Sequence, residues 1–257
     1  VITQATLKLA PLPSEDGKSV YFFAVRDLSG LPFLFEKCRQ APFEILAFEF
    51  FSDRCLKAVG EKLGRHSRLK NQGPYYVLTE VSGLEDRDAW LETVLSNPLI
   101  VDSLEAHSSE ERKAVWSLRE GITESLALSG ALRKHDLSLP LPSVAPFLEE
   151  VESLLQQGRY ALNLYFFGHF GDGSPHVNLL NPPGVPFQEF NEACDRFEPH
   201  LFSVLQKYQG SISSEHGVGL LKKKWLPHSR SPAELAIFRG IKSALDPRGL
   251  LNPGKIF

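Results

Sequence analysis

The order of short apolar runs and helical stretches constrains the fold of this chain more than any other feature. Runs typical of strands alternate with stretches of helical spacing, and two of the strands are joined directly by a glycine-rich turn at 168–175. No series of strand–helix units ends in a phosphate loop, as in parallel nucleotide-binding sheets. We therefore predict an α+β fold, in which a mainly antiparallel sheet is covered by helices on one face, with two ferredoxin-like halves (15–105 and 130–215) and a helical C-terminal segment.

The individual elements follow from periodicity, caps and breaks at proline or glycine. Strands are predicted at 1–9, 19–25, 45–50, 75–81, 134–139, 160–167, 176–180 and 211–214. Helices are predicted at 28–40, 53–63, 86–96, 142–157, 187–208 and 231–245. A further long helix begins after Ser108 or Ser109, where glutamates follow serine in the pattern of an N-terminal cap.

Composition excludes several classes of function. The 257 residues include 28 basic and 31 acidic side chains, a net charge of −3, so the chain is not a broadly basic nucleic-acid binder. No apolar run is long enough to span a membrane. The three cysteines, Cys38, Cys55 and Cys194, are widely spaced and form no CxxC pair, which favours a reducing, cytoplasmic compartment.

The glycine-rich turn carries the densest chemical information. Its shoulders are His169 and His176, and a hairpin brings such positions close enough for two imidazoles to share one cation. The glycines within the turn let the backbone approach a ligand closely. The alternative is one partly buried histidine that makes a hydrogen bond and one surface histidine, with no ligand.

A second polar cluster follows the predicted strand at 211–214. Glu215 would complete a set of two histidines and a carboxylate that leaves coordination positions open for a substrate. His216 would then be a free imidazole beside the metal, which suits a general base near neutral pH. The alternative is the start of a helix, in which Glu215 only complements the helix dipole.

Positive charge is predicted to complete the site. Arg119 and Thr123 lie four residues apart and share one face of the long helix, and Lys134 follows in a predicted strand. An arginine and a lysine that converge on one pocket suit an acidic substrate. The alternative is that both are solvated surface charges.

Three motifs occur in this order in one known family. They are Gly-His-x-Gly-Asp-Gly-x-x-His-x-Asn at 168–178, Glu-His-Gly-Val-Gly at 215–219 and Asp-Pro…Asn-Pro-Gly-Lys at 246–255. With them the chain resembles, over nearly its whole length, the C-terminal, substrate-side domain of FAD-linked oxidases of the vanillyl-alcohol-oxidase type. Within that superfamily it is most similar to the branches of D-2-hydroxyglutarate dehydrogenase, D-lactate dehydrogenase and the glycolate oxidase flavin subunit.

The resemblance implies a role for each motif residue. A divalent metal, zinc or manganese, would be bound by His169, His176 and Glu215. The proton of the substrate hydroxyl would be taken by His216. The substrate would be contacted by Arg119, Thr123, Lys134 and Asn178, and the flavin by Asn252.

The implied reaction is the oxidation of a D-2-hydroxy acid to the 2-oxo acid, with hydride transfer to FAD. The residues from Lys134 to Pro140 resemble the 2-hydroxyglutarate branch more than the lactate or glycolate branches. The family usually has asparagine where this chain has Ser174 and an aliphatic residue where it has Pro175. We expect this departure to weaken flavin or substrate contacts and to spare the metal pair.

The resemblance also divides the chain and implies its partners. Residues 1–13 would end an N-terminal FAD-binding domain that this chain lacks, 14–225 would be the substrate and metal domain, and 226–257 a helical segment packing toward the flavin. The chain alone would then be inactive. Implied partners are the 2-hydroxy acid, an electron acceptor (quinone, cytochrome or electron-transfer flavoprotein) and a second copy in a homodimer, located in the cytoplasm or at the periphery of the inner membrane. Competing functions are a metallohydrolase and a non-catalytic metal- or acid-binding module.

Overall fold

Seven strands form a single antiparallel sheet. The computed structural model of the protein describes residues 3–9, 17–83, 87–158 and 160–256. The strands are β1 (Lys18–Val25), β2 (Glu44–Ser52), β3 (Tyr75–Ser82), β4 (Ile100–Ala106), β5 (Leu132–Asp136), β6 (Asn163–His169) and β7 (Ser174–Leu180). Their order in the sheet is β4-β1-β3-β2-β6-β7-β5, and every neighbouring pair is antiparallel. The predicted α+β class is confirmed.

Seven α-helices of the described residues accompany the sheet. They are α1 (Gly30–Gln40), α2 (Asp53–Leu63), α3 (Arg87–Leu95), α4 (Ser109–Ser129), α5 (Val144–Gly158), α6 (Phe187–Lys207) and α7 (Pro232–Leu245). The long helix α4 begins with the predicted cap, because the Ser108 hydroxyl accepts from the Glu111 backbone N–H while the Glu111 carboxylate accepts from that of Ser108. Within the described ranges, no helix combines the length and the apolar character that crossing a membrane requires.

The sheet consists of two halves with the same arrangement. In the first half, β1, β3 and β2 lie side by side, and in the second half β5, β7 and β6 repeat that order. The strands β2 and β6 pair with each other where the halves meet. By position along the chain, α1 and α3 of the first half correspond to α5 and α6 of the second. This order fits two ferredoxin-like units, of which the second has no counterpart of β4 among the described residues.

Helices cover both faces of the sheet, and the prediction that they cover one face is wrong in this respect. On one face, α1, α3, α5 and α6 bury a large core that includes Tyr21 and Phe50. On the other face, α2 and α4 bury a smaller core that includes Phe22 and Phe51. Neighbouring strand residues enter opposite cores because side chains alternate along a strand. Apolar periodicity shows that a helix has a buried side, but it does not show which face of the sheet that side meets.

Three segments differ from their predicted structure. Residues 3–9 form no strand and are exposed, and residues 1 and 2 of that predicted strand lie outside the described residues. The strand predicted at 211–214 is reduced to a single bridge between Ser138 and Ser211. Strand β4 was not predicted, because it is a half-buried edge strand whose sequence mixes polar and apolar residues without a clear period.

Candidate metal and substrate site

The strands of the second half carry polar side chains on the face opposite their large core. In β7, His176 and Asn178 alternate with Val177 and Leu179, and the latter two are core residues. The register of β6 and β7 places Phe167 opposite His176. A cavity of about 390 Å³ lies over this face.

Eight of the nine predicted site residues line this one cavity. They are Arg119, Thr123, Lys134, His169, His176, Asn178, Glu215 and His216. They come from α4, from three strands and from the loop after α6, so the fold brings together residues that are far apart in the chain. Asn252 is not among them and lies in an adjoining groove of about 910 Å³, which shares His216 with the cavity.

The hairpin that carries the two histidines requires glycine at two positions. Gly168 has a φ of 154° and Gly173 a φ of 74°. A Cβ atom at Gly168 would overlap the carbonyl oxygen of Ser174, and one at Gly173 would overlap a backbone oxygen of a neighbouring loop. The tight turn brings the rings of His169 and His176 to a centroid distance of 5.6 Å.

Three potential metal ligands converge in the cavity. One ligand atom from each of His169, His176 and Glu215 lies within 4.8 Å of the other two, and Nε2 of His169 is 3.5 Å from Oε1 of Glu215. Two imidazoles and a carboxylate are a donor set that zinc and manganese accept. The Nδ1 atom of His169 is already engaged by Oε1 of Glu49 at 2.7 Å, which leaves Nε2 as the atom for a ligand. These residues therefore fit the divalent metal that the sequence implies.

Glu49 of β2 is a site residue that the sequence analysis missed. Its side chain is buried, and Oε2 accepts a hydrogen bond from Nε of Arg119 at 2.9 Å. The Arg119 guanidinium also lies 4.9 Å from the centre of the Phe167 ring. Arg119 is thus buried and paired, not a solvated surface charge. The sequence did contain one sign of this role, because Glu49 is an acid within the apolar strand predicted at 45–50. Glutamate is almost never buried without a partner, so a buried partner was to be expected.

Asp136 of β5 holds the loop that carries Glu215 and His216. Its Oδ2 atom accepts from the backbone N–H groups of Ser214 and Glu215 at 3.2 Å each, from that of His216 at 3.0 Å and from Nζ of Lys222 at 3.3 Å. Burial would raise the pKa of Asp136, but the His216 N–H and the Lys222 ammonium outweigh it and hold the pKa below its ordinary value. The loop does not start a helix, so the alternative role considered for Glu215 does not apply.

The two hairpin histidines differ in their affinity for protons. The hydrogen bond with Glu49 raises the pKa of His169, and burial opposes this effect. Burial lowers the pKa of His176 to about 4, although Asp136 acts in the opposite direction. His176 is therefore neutral near pH 7, the state that metal coordination requires. The side chain of His216 is 70% exposed, and its Nδ1 lies 3.9 Å from Oδ2 of Asp136, beyond hydrogen-bond distance.

Asn178 lines the cavity and carries a buried donor without a partner among the described residues. The residue is 2% exposed, and its Nδ2 atom has no hydrogen-bond partner among the described residues. A buried donor without a partner is costly, so such a group in a cavity wall marks a position where an acceptor on a ligand would complete the bond.

Comparison with solved structures shows which fold the chain shares with known proteins. Over 97% of this chain and 55% of the other, the fold is similar to that of 4-ethylphenol oxidase from Gulosibacter chungangensis, with a TM-score of 0.64 and 16% identity. It is also similar to p-cresol methylhydroxylase over 93% of this chain and 52% of the other, with a TM-score of 0.57 and 12% identity. At identities of 16% and 12%, this likeness shows the fold alone.

The chain belongs to the family of FAD linked oxidases, C-terminal domain, which matches residues 16–256. It is 37% identical over 262 residues to a D-2-hydroxyglutarate dehydrogenase from Xanthomonas citri pv. viticola, covering 100% of this chain and 54% of that protein. It is 34% identical over 264 residues to the mitochondrial D-2-hydroxyglutarate dehydrogenase of Bos taurus, covering 100% and 46%. It is 30% identical over 272 residues to a putative mitochondrial D-lactate dehydrogenase of Schizosaccharomyces pombe, covering 99% and 50%. The chain spans about half the length of these curated relatives, and the predicted family is confirmed.

Proposed function

We propose that this chain is the substrate- and metal-binding domain of a flavin-dependent dehydrogenase that oxidises a D-2-hydroxy acid, foremost 2-hydroxyglutarate, to the 2-oxo acid. The observation that carries the proposal is the convergence of three ligand atoms within 4.8 Å, in a cavity that Arg119 and Lys134 also line. The names of the relatives from Xanthomonas and Bos taurus support the same substrate class.

The charges around the cavity favour a substrate with two carboxylates. Arg119 is anchored to Glu49 through Nε, a contact that does not use its two terminal NH₂ groups. Lys134 lies opposite Asn178 in the pairing of β5 with β7, at an exposed position. Lys222 is not a third cation for the substrate, because Asp136 and Ser213 hold its ammonium group. Arg119 and Lys134 would each bind one carboxylate and so orient the hydroxyl carbon.

In this proposal His216 is the general base. Its Nδ1 faces Asp136, so Nε2 would accept the proton of the substrate hydroxyl. Asp136, whose pKa lies below its ordinary value, would stay charged and stabilise the imidazolium that forms. When bound, the divalent metal supplies Lewis-acid polarisation and the flavin supplies a two-electron acceptor.

The same proposal includes the remaining partners. The flavin would lie against the groove that Asn252 and His216 line, next to α7. A quinone, a cytochrome or an electron-transfer flavoprotein would accept the electrons of the whole protein. A homodimer, and a location in the cytoplasm or at the periphery of the inner membrane, are further parts of the proposal.

Elemental analysis by mass spectrometry tests the metal site. We expect close to one divalent ion per purified chain and its loss in His169→Ala, because one of three ligands disappears. His200→Ala, which removes an exposed histidine of α6, is the matched control and should keep the ion. A wild-type chain that takes up neither zinc nor manganese would refute the metal half of the proposal.

Calorimetric titration tests the substrate half. The metal-loaded chain should bind D-2-hydroxyglutarate more tightly than D-lactate, since only the former has a second carboxylate. Lys134→Met should weaken hydroxyglutarate binding about tenfold and leave lactate binding nearly unchanged. Equal affinities for both acids in the wild-type chain would refute the preference for a dicarboxylate.

A further inference from the structure

Glu49 occupies a position that few acidic residues tolerate. It lies within β2, one strand away from the hairpin, and pairs directly with His169 across the junction of the two halves. Its exposed fraction is 6%, and a buried carboxylate is stable only when charged or polar partners surround it. The partners of the Glu49 carboxylate therefore explain why this strand carries an acid.

The two oxygens of Glu49 serve two different parts of the site. Oε1 is 2.7 Å from Nδ1 of His169, and Oε2 accepts from Nε of Arg119 at 2.9 Å. A guanidinium only donates, and a carboxylate beside it acts as an acceptor at both oxygens. Nδ1 of His169 must then carry the proton, which leaves the lone pair on Nε2, the ring nitrogen 3.5 Å from Glu215.

We propose that Glu49 is a positioning residue that links the metal-binding part of the site to the substrate-binding part. It fixes His169 with its proton on Nδ1, and it anchors Arg119 beside the same cavity. This inference rests on the proposed function, in which His169 binds the metal and Arg119 binds a substrate carboxylate. Among the described residues His176 has no equivalent contact, because its Nδ1 lies 3.7 Å from Oδ1 of Asp136, too far for a hydrogen bond. The tautomer is therefore set by Glu49 at one of the two imidazole ligands only.

Glu49→Gln separates this role from simple packing. An amide has one acceptor and one donor end, so it cannot accept from both Nδ1–H and Nε–H. If its NH₂ group faces His169, the ring proton moves to Nε2 and blocks the metal-binding lone pair. If its oxygen faces His169, Arg119 loses its anchor. Either arrangement breaks one of the two contacts, with His169 or with Arg119, while the shape of the side chain stays the same.

Glu80→Gln is the matched control. Glu80 lies on the neighbouring strand β3 and accepts one hydrogen bond, from Nε1 of Trp116 at 2.8 Å. A glutamine there keeps an acceptor for that single donor. Both variants replace a hydrogen-bonded carboxylate of the sheet by an amide, and only Glu49→Gln breaks a pair of acceptors.

The first measurement is the nitrogen-15 spectrum of the histidine rings in the metal-free chain, at a mildly alkaline pH where the rings are neutral. The signal of His169 is assigned through its loss in His169→Ala. We expect a proton on Nδ1 in the wild type and in Glu80→Gln, and a shift toward the Nε2–H form in Glu49→Gln. A wild-type ring protonated on Nε2 overturns the inference without any variant, even if Glu49→Gln fails to fold.

The second measurement is a titration with Co²⁺, followed by its visible absorption. Glu49→Gln should lower the affinity about 10- to 100-fold, the usual effect of losing such a partner of a ligating histidine, and Glu80→Gln should change it less than about twofold. If the wild type binds Co²⁺ and Glu49→Gln binds it equally with an unchanged tautomer, the inference is wrong and the proposed function stands. If the wild type binds no Co²⁺ but the tautomer shifts as expected, the metal part of the proposed function is wrong and the positioning by Glu49 stands.

Discussion

In the first half of the sheet, the face beneath α2 and α4 is aromatic and fully buried, whereas in the second half the same face is polar and open to a cavity. Phe22 stacks on Phe51 and Tyr76 at centroid distances of 5.7 and 5.4 Å, and all three are fully buried. In the second half, His169 and His176 take the corresponding place and line the cavity. The two halves share their strand order, so the difference lies in what covers them.

The missing cover results from one connection. In the first half, α2 links β2 to β3 and packs back onto the sheet together with α4. In the second half, the equivalent link between β6 and β7 is the tight turn that Gly168 and Gly173 permit. A turn of that length cannot cover the face behind it. The same turn that carries the histidines therefore also leaves their face open to ligands.

The largest expected difference between the halves is in stability. Phe22→Ala should lower the free energy of unfolding by about 3–5 kcal/mol, because it leaves a cavity in a closed aromatic core. Phe167→Ala, on the same face of the second half, should cost about 2 kcal/mol, because Phe167 borders a cavity that already exists. Urea unfolding of both variants measures the two losses. Equal losses would mean that the two faces are packed equally tightly.

Acid should destabilise the open half through His176. Its pKa of about 4 in the folded chain lies below the value of 6.5 for unfolded histidine, so between these values the unfolded state binds more protons. The stability that the neutral form of His176 contributes is fully present above pH 6.5. It is lost as the pH falls toward 4, and the free energy of unfolding then decreases by at most about 3 kcal/mol. Urea unfolding of the metal-free chain across this range measures the loss.

His176→Gln isolates the contribution of His176 from that of other groups. His169 works in the opposite direction, because its raised pKa stabilises the folded chain at the acidic end of the same range. The free energy of unfolding of the wild type minus that of His176→Gln should fall, by up to about 3 kcal/mol, as the pH falls from 6.5 to 4. The amide protection factors of β6 and β7, which are corrected for the intrinsic pH dependence of exchange, should also fall on acidification before those of β1 and β3. A difference that does not depend on pH would contradict the assignment of the lowered pKa.

Local signals predicted most of the fold. The cap at Ser108 and the apolar spacing after it predicted α4, and the glycines of the turn predicted the hairpin of β6 and β7. Strand β4 escaped because an edge strand is half-buried and needs no strict alternation. The face that α2 and α4 cover also escaped, because it depends on how connections pack in three dimensions and not on the spacing within a helix.

The site was predictable where chemistry and spacing coincide. Six residues separate His169 from His176 in one motif, and their convergence follows from the hairpin alone. Glu49 is 120 residues away from His169 in the chain, and only the pairing of β2 with β6 brings the two together. Asn252 lies in the neighbouring groove, because the chain after α7 packs beside the loop at 216–219 and not over the open strands. Long-range pairing of this kind leaves no local pattern in a single sequence.

The smallest expected effect concerns a side chain that the open half keeps at the expense of stability. Asn178→Leu should raise the free energy of unfolding by about 1 kcal/mol, because it removes a buried donor that has no partner among the described residues and substitutes an apolar group of similar size. The same variant should weaken binding of 2-hydroxy acids, so stability and binding should change in opposite directions. Asn181→Leu, beyond the end of β7, is the comparison: its Nδ2 donates to the carbonyl of Val185 at 3.0 Å, while its Oδ1 has no partner among the described residues, so a loss and a gain oppose each other and stability should rise less than in Asn178→Leu. Urea unfolding and calorimetric titration measure both quantities, and an Asn178→Leu variant less stable than wild type would show that the amide is already satisfied in the free protein.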